Sequence, residues 1–127
     1  MQKLIDDVKA FHRACDVPVL ALPCVPPPER QALRKKLLLE EFQEFLRAHS
    51  DEDIVGVADA LADIIYVAVG TALEYGIPLA DVWAEVQRSN MSKLVNGVAL
   101  KREDGKVLKG PGYTPPDIEG VLHHVNT

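Results

Sequence analysis

One apolar stretch constrains the fold more than any other part of the sequence. Residues 54–73 form the longest hydrophobic run, and its only charged residues are Asp59 and Asp63. The run is long enough to span a bilayer, but each aspartate near its middle would cost about 2.5 to 3.5 kcal/mol on insertion scales. The pattern therefore predicts a buried helix at the centre of a soluble protein, with no membrane partner.

Further helices are expected on both sides of this run, because apolar spacing, prolines and glycines mark their limits. The helices that the sequence predicts cover residues 2–15, 28–48, 51–76 and 79–94. We expect Ser50 or Asp51 to cap the third of them. The fourth should bury Val82, Trp83 and Val86 as its apolar stripe.

The last thirty residues have a different character from the helical part. Residues 98–110 alternate around Asp104-Gly105, which is a strong two-residue hairpin signal. The proline pair at 115–116 then opens a short helix that is expected to end at about Val125. The prediction is an all-α fold, a four-helix bundle with a small C-terminal hairpin and a short helix, in a single domain over residues 1–127.

Charge and cysteine content narrow the classes of partner. A formal net charge of -5 and a pI of about 5.3 leave no basic surface for a long nucleic acid. The two cysteines, Cys15 and Cys24, have no zinc-type spacing, and the charged start of the chain has no secretory pattern. We therefore expect a cytoplasmic protein. Its small core would be helped by assembly into a homodimer or homotetramer.

Acidic residues recur on the apolar faces of two successive helices. At 100° per residue, Glu40, Glu44 and Glu41 fall at about 0°, 40° and 100° on the second helix, among leucines. On the third helix, Asp59 and Asp63 lie about 40° apart. Buried carboxylates need cations or must take up protons, because an unpaired buried anion costs several kcal/mol.

Divalent cations satisfy these acids best. Arg34, Lys35 and Lys36 offer some positive charge, but there is no lysine or arginine between residues 51 and 87. Oxygen ligands suit Mg²⁺ or Mn²⁺, which keep waters and substrate phosphates in their other positions. For the three glutamates alone, a solvated helix face remains an alternative. A di-iron centre is disfavoured, because no Glu-x-x-His pair lies on the acidic faces.

At this point the sequence resembles the all-α nucleoside triphosphate pyrophosphohydrolases, which include MazG-like proteins, phosphoribosyl-ATP pyrophosphohydrolase and dimeric dUTPases. The family pattern is ExxE on one helix and ExxD on the next, both ligating magnesium. The similar segments are EEFQE (40–44), DALADIIYV (59–67), EVQRSNMSKL (85–94) and DGKVLKGPGYTPPDI (104–118). The chain departs from the pattern at Ala60, which stands where the family has the glutamate of ExxD.

The resemblance implies a metal-dependent enzyme that hydrolyses a nucleoside triphosphate between its α and β phosphates. The products are a nucleoside monophosphate and pyrophosphate, and dUTP or another dNTP is the expected substrate of such a house-cleaning enzyme. The expected metal ligands are Glu40, Glu41, Glu44, Asp59 and Asp63, with Glu41 the first choice for the catalytic base.

Substrate contacts are expected outside the acidic faces. Phosphate, sugar and base need hydrogen-bond donors and a stacking surface beyond the metal. The candidates are Asn90, Lys93, Lys106, Lys109 and Tyr113. The alternative function is a non-catalytic helical protein that binds nucleotide or metal.

Overall fold

The computed structural model describes residues 1–124, and this part of the chain is almost entirely helical. Its elements, in chain order, are α1 (Gln2–Ala14), α2 (Pro28–Ser50), α3 (Ile54–Glu74), α4 (Leu79–Met91), β1 (Leu100–Lys101), β2 (Val107–Leu108) and α5 (Ile118–His124). The two strands pair antiparallel, with Leu100 opposite Leu108. The all-α class and the small C-terminal hairpin followed by a short helix are confirmed.

The break between α2 and α3 differs from the sequence prediction. Ser50 is the last residue of α2, and Glu52 has a positive φ of 52°. Asp53 is the N-cap of α3, because its Oδ1 accepts a hydrogen bond from the Gly56 backbone N–H at 3.0 Å. The predicted cap at Ser50 or Asp51 is therefore wrong, and the helix starts two to three residues later.

The end of α3 follows the glycine signal. Gly76 has a φ of +64°, its N–H donates to Leu73 O, and the N–H of Ile77 donates to Ala72 O. These two bonds satisfy carbonyls that a helix end otherwise leaves open. A Cβ at Gly76 would overlap Leu22 O, so the proline-rich connector between α1 and α2 (residues 15–27) packs directly on this turn.

The chain divides into two compact units, Met1–Pro78 and Leu79–Thr127. In the first unit, α3 packs against both α1 and α2, and the buried residues include Val8, Ala60 and Val69. The expectation that α3 is buried on all sides is wrong for this single chain. Leu61 and Ile65 are about half exposed, because α1 and α2 cover only part of the helix surface. The single domain over residues 1–127 stays a prediction.

In the second unit, α4 packs with α5 and the segment before it. The contacts come from Glu85, Arg88 and Ser89, whose side chains bond residues 114–117. Trp83 is on a different face and is 57% exposed, so its predicted burial is wrong, and Val86 is also exposed. Helix α4 ends at Met91, three residues before the predicted end. The predicted end of the last helix, at residue 125, lies outside the described residues.

Candidate metal centre

Three carboxylates from α2 and α3 converge in the first unit. Glu41 and Glu44 lie one turn apart on α2, and Asp63 faces them from α3. One oxygen of each carboxylate lies within 4.8 Å of the other two. Glu41 and Asp63 are partly buried, whereas Glu44 is exposed. We call these three residues the carboxylate trio.

The surroundings of Glu41 disfavour the ionised form of its carboxyl group. Its pKa is raised to about 6, first by burial, then by a hydrogen bond with Glu44, and then by the negative charges of Glu44, Asp63 and Asp59. Its Oε2 atom is buried and has no hydrogen-bond partner within the described chain. A buried carboxylate oxygen without a partner is costly, so this atom is poised for a cation or a proton.

The donor set fits Mg²⁺ or Mn²⁺. Oxygens on opposite sides of an octahedral Mg²⁺ lie about 4 Å apart, and the trio is already within 4.8 Å. Among residues 1–124, no ion pair involves any member of the trio. Arg34, which the sequence offered as a partner for these acids, pairs with Glu74 instead. Small side-chain movements would therefore bring three oxygen ligands onto one ion.

The other two predicted ligands lie outside the trio. Glu40 is exposed on α2, and Asp59 is exposed on α3, one turn before Asp63. Asp59 is close enough for its charge to act on Glu41. Ala60 is only 2% exposed, so the position of the missing glutamate lies in the buried interior of the first unit. The roles of Glu40 and Asp59 as ligands stay predictions.

The predicted substrate contacts all belong to the second unit. Lys109 Nζ lies 4.8 Å from the centre of the Tyr113 ring, as in a cation–π contact. A backbone hydrogen bond of 2.9 Å joins Lys93 to the loop that carries these two residues. Asn90 and Lys106 are exposed, on α4 and on the hairpin respectively. Three of the five candidates therefore meet in one loop region, and their contact with substrate stays a prediction.

Sequence reasoning missed the buried ion pairs between α2 and α3. Glu74 is 1% exposed, and both Arg30 and Arg34 reach its carboxylate from α2. A signal was present, since Arg34 and Glu41 are seven residues apart and must share a helix face. Glu74 is likewise the only charged residue at the C-terminal end of the apolar run.

The family model of phosphoribosyl-ATP pyrophosphohydrolase matches residues 8–90, more than half of the chain. The matched segment includes α2, α3 and the whole carboxylate trio. It stops before residues 104–118, where the sequence also resembled the tail of a MazG-like branch. No curated protein matches the chain significantly.

Proposed function

The chain belongs to the phosphoribosyl-ATP pyrophosphohydrolase family, a member of the MazG-like superfamily, and on that premise we propose that it is a divalent-metal-dependent nucleoside triphosphate pyrophosphohydrolase. The family match indicates a hydrolase that acts on a phosphoric anhydride. The observation that carries the metal-dependent mechanism is the carboxylate trio with the unpartnered buried oxygen of Glu41.

In this proposal, Glu41, Glu44 and Asp63 hold Mg²⁺ or Mn²⁺, with Glu40 and Asp59 as further ligands. A triphosphate would be repelled by this acidic surface, so a cation is needed before substrate can approach. When bound, the cation supplies positive charge for the phosphate oxygens and lowers the pKa of a nearby water.

Glu41 is the proposed base as well as a ligand. In the metal-free protein its pKa is about 6, so it is mostly ionised at neutral pH, as a carboxylate that binds a cation must be. Its place in the trio would bring it close to the attacking water, which supports its role as the base. Cleavage between the α and β phosphates then gives a nucleoside monophosphate and pyrophosphate.

The side chains proposed to contact the nucleotide beyond the metal belong to the second unit, and their chemistry suits that role. Lys93, Lys106 and Lys109 carry charges suited to the outer phosphates, and within residues 1–124 none of the three forms an ion pair. Asn90 has both donors and an acceptor for a sugar hydroxyl. Tyr113 offers an aromatic face for a base.

Two substrate classes follow from two different similarities. The family match favours a phosphoribosyl nucleotide such as phosphoribosyl-ATP. The resemblance of residues 104–118 to a dUTPase-related branch favours dUTP or another dNTP, and a house-cleaning role. We retain the dNTP class as our specific hypothesis, with phosphoribosyl-ATP as the first competitor in any assay.

We further propose a soluble, cytoplasmic homo-oligomer. Helix α3 has the length and composition of a membrane span, and only 17% of its most apolar window is buried. Asp59 and Asp63 lie within that helix and make insertion costly, so a second copy is the better cover for its apolar surface. Cys15 and Cys24 are both free and exposed, as suits a reducing compartment.

The test is a substrate panel in which the product is identified. Phosphoribosyl-ATP, dUTP, the other dNTPs and the NTPs are incubated with the protein and Mg²⁺ or Mn²⁺, and pyrophosphate is measured separately from orthophosphate. Release of pyrophosphate with the matching monophosphate supports the proposal. Release of orthophosphate with a diphosphate would contradict it.

Ala60 is the observation that favours the alternative function, because one family carboxylate is absent. A non-catalytic protein would be stabilised against heat by nucleotide and metal together but would turn over no substrate. Stabilisation without turnover across the whole panel would therefore reject the enzyme and support a nucleotide-binding protein.

A further inference from the structure

A buried polar network links α2 to α3 away from the carboxylate trio. Arg30 Nε donates to Glu74 Oε1 at 2.7 Å, and Arg34 Nη1 lies 3.1 Å from Glu74 Oε2. The second contact is close enough for an ion pair but is not aligned as a hydrogen bond. Glu74 is 1% exposed and Arg34 is 7% exposed, so both charges are removed from water.

Arg34 also bonds the body of α3. Its Nε donates to Thr71 Oγ1 at 3.1 Å, and its Nη2 donates to the backbone oxygen of Val67 at 3.0 Å. Together with Glu74, these contacts cover two successive turns of α3. The guanidinium has a rigid planar shape, so the donors that bond Thr71 and Val67 reach both acceptors in only one position along the helix.

Gly70 on α3 allows Arg34 and His12 to approach the helix closely. A Cβ at Gly70 would lie 2.6 Å from Arg34 Nη2 and 2.7 Å from His12 Nε2. His12 is buried, and its Nδ1 lies 3.1 Å from Pro18 O. A side chain of α1 therefore reaches the same part of α3 as Arg34 does.

The network and the trio lie on the same contact between α2 and α3. Arg34 and Glu41 are seven residues apart, which is close to two full turns. Glu74 and Asp63 are eleven residues apart, which is close to three turns. A one-residue slip of α2 would move its side chains by about 1.5 Å along the axis and rotate them by about 100°, which would separate Glu41 from Asp63.

Stability alone does not explain such a network. Replacing a buried ion pair by apolar residues of similar volume is often neutral or stabilising, because desolvation offsets the attraction. The best-attested use of buried polar groups is to fix register. Burial in fact lowers the pKa of Arg34 in spite of its contact with Glu74, which indicates incomplete compensation.

We propose that Arg30, Arg34 and Glu74 are positioning residues that fix the register of α2 against α3 and so align Glu41 and Glu44 with Asp63. The inference rests on the proposed function only in taking the trio as the metal site.

The main test is a triple variant, Arg30→Met with Arg34→Met and Glu74→Met. Its thermal unfolding should occur at the same temperature as in the unsubstituted protein or higher, while the dissociation constant for Mn²⁺ alone, measured by calorimetry, should rise about tenfold or more. Wild-type affinity for Mn²⁺ in a stable triple variant would overturn the proposal.

Two further variants keep the test decisive if the triple variant folds poorly. Arg34→Lys keeps the charge but lacks the planar set of donors, so Mn²⁺ should bind more weakly although Glu74 remains paired. Val8→Ala removes a core side chain outside the network and lowers stability while leaving Mn²⁺ affinity unchanged. An equal loss of affinity in Val8→Ala would show that general destabilisation, not register, is responsible.

Failure of this inference can be separated from failure of the metal site. Asp63→Asn should weaken Mn²⁺ binding about 100-fold if the trio is the site. If Asp63→Asn binds Mn²⁺ normally, the proposed site is wrong, and the register is then judged from a crystal structure of the triple variant. In that structure, α2 displaced along α3 supports the inference, and α2 in its original position overturns it.

Discussion

At the scale of single residues, Glu41 determines how the trio responds to pH. Its folded pKa of about 6 lies above the ordinary value of 4.5, so protonation favours the folded state. This contribution is complete below about pH 4.5 and is lost as the pH rises through 6. At neutral pH the ionised side chain therefore costs about 1–2 kcal/mol in the metal-free protein.

We predict that Glu41→Gln stabilises the metal-free protein at pH 7 by about 1–2 kcal/mol, because glutamine keeps the shape and removes the charge. The measurement is urea unfolding of both proteins at several values between pH 4 and pH 8. The difference in unfolding free energy between the two proteins should shrink towards zero near pH 4.5. Because both proteins carry the same other acids, the contributions of those acids cancel in this difference. A difference that does not depend on pH would contradict the assigned cause.

Substitutions at Asp63 and at Glu40 form a matched pair that tests which acidic residues bind the metal. Asp63 belongs to the trio, whereas Glu40 is exposed outside it. We predict that Asp63→Asn weakens Mn²⁺ binding by a factor of about 100 and that Glu40→Gln weakens it by less than about tenfold. Calorimetric titration with Mn²⁺ measures both. Equal losses would show that the site extends over both faces of α2.

At the scale of the elements, the turn after α3 holds the proline-rich connector in place. We predict that Gly76→Ala destabilises the first unit by several kcal/mol, because its Cβ would overlap Leu22 O and its φ is positive. Gly105→Ala is the control: its φ is also positive, at +88°, but nothing lies within 4 Å of the new Cβ. The control change should lower the free energy of unfolding by only about 1 kcal/mol. Thermal or urea unfolding of the variants measures both effects. Similar costs for both variants would contradict the packing argument.

The sequence predicted local features of these elements well, because helix periodicity and the Gly76 stop act over neighbouring residues. It failed where several equivalent residues compete, as in Asp51, Glu52 and Asp53 before α3. All are acidic, and only the backbone geometry selects Asp53 as the cap.

Long-range pairing was the harder part to predict. The convergence of Glu41, Glu44 and Asp63 followed from helix faces and from the family resemblance. The pairing of Arg34 with Glu74 did not, because these residues are forty positions apart in sequence and meet only through the register between α2 and α3. The burial of Trp83 was also predicted wrongly. Helical spacing identifies an apolar stripe, but it does not show whether another element packs on that stripe.

At the scale of the whole molecule, exposed apolar side chains are the observation that supports the proposed assembly. Leu39, Phe42 and Leu46 recur along α2, and Leu61 and Ile65 lie on α3, each between 44% and 52% exposed. Isolated exposed apolar residues are ordinary, but stripes along neighbouring helices mark interaction surfaces. A second copy would bury this surface and supply the cover that α3 lacks.

We predict that the protein sediments at twice or four times its 14.0 kDa chain mass. Leu61→Asp should shift it towards the monomer, because a charge in an apolar interface is left unpaired. Ala10→Asp, on the exposed polar face of α1, is the control for added charge and should leave the mass unchanged. Analytical ultracentrifugation at micromolar concentration distinguishes these outcomes, and a monomeric parent protein would reject the assembly.

The most direct test of the central claim is the rate of pyrophosphate release with Mg²⁺, compared between the unsubstituted protein and Asp63→Asn at saturating substrate. The substrate is whichever nucleotide of the panel is turned over fastest. We predict stoichiometric pyrophosphate and monophosphate from the parent protein and a loss of at least about 100-fold in the variant, because one ligand of the trio is removed. Pyrophosphate release at an unchanged rate in Asp63→Asn, or orthophosphate as the product, would contradict the account.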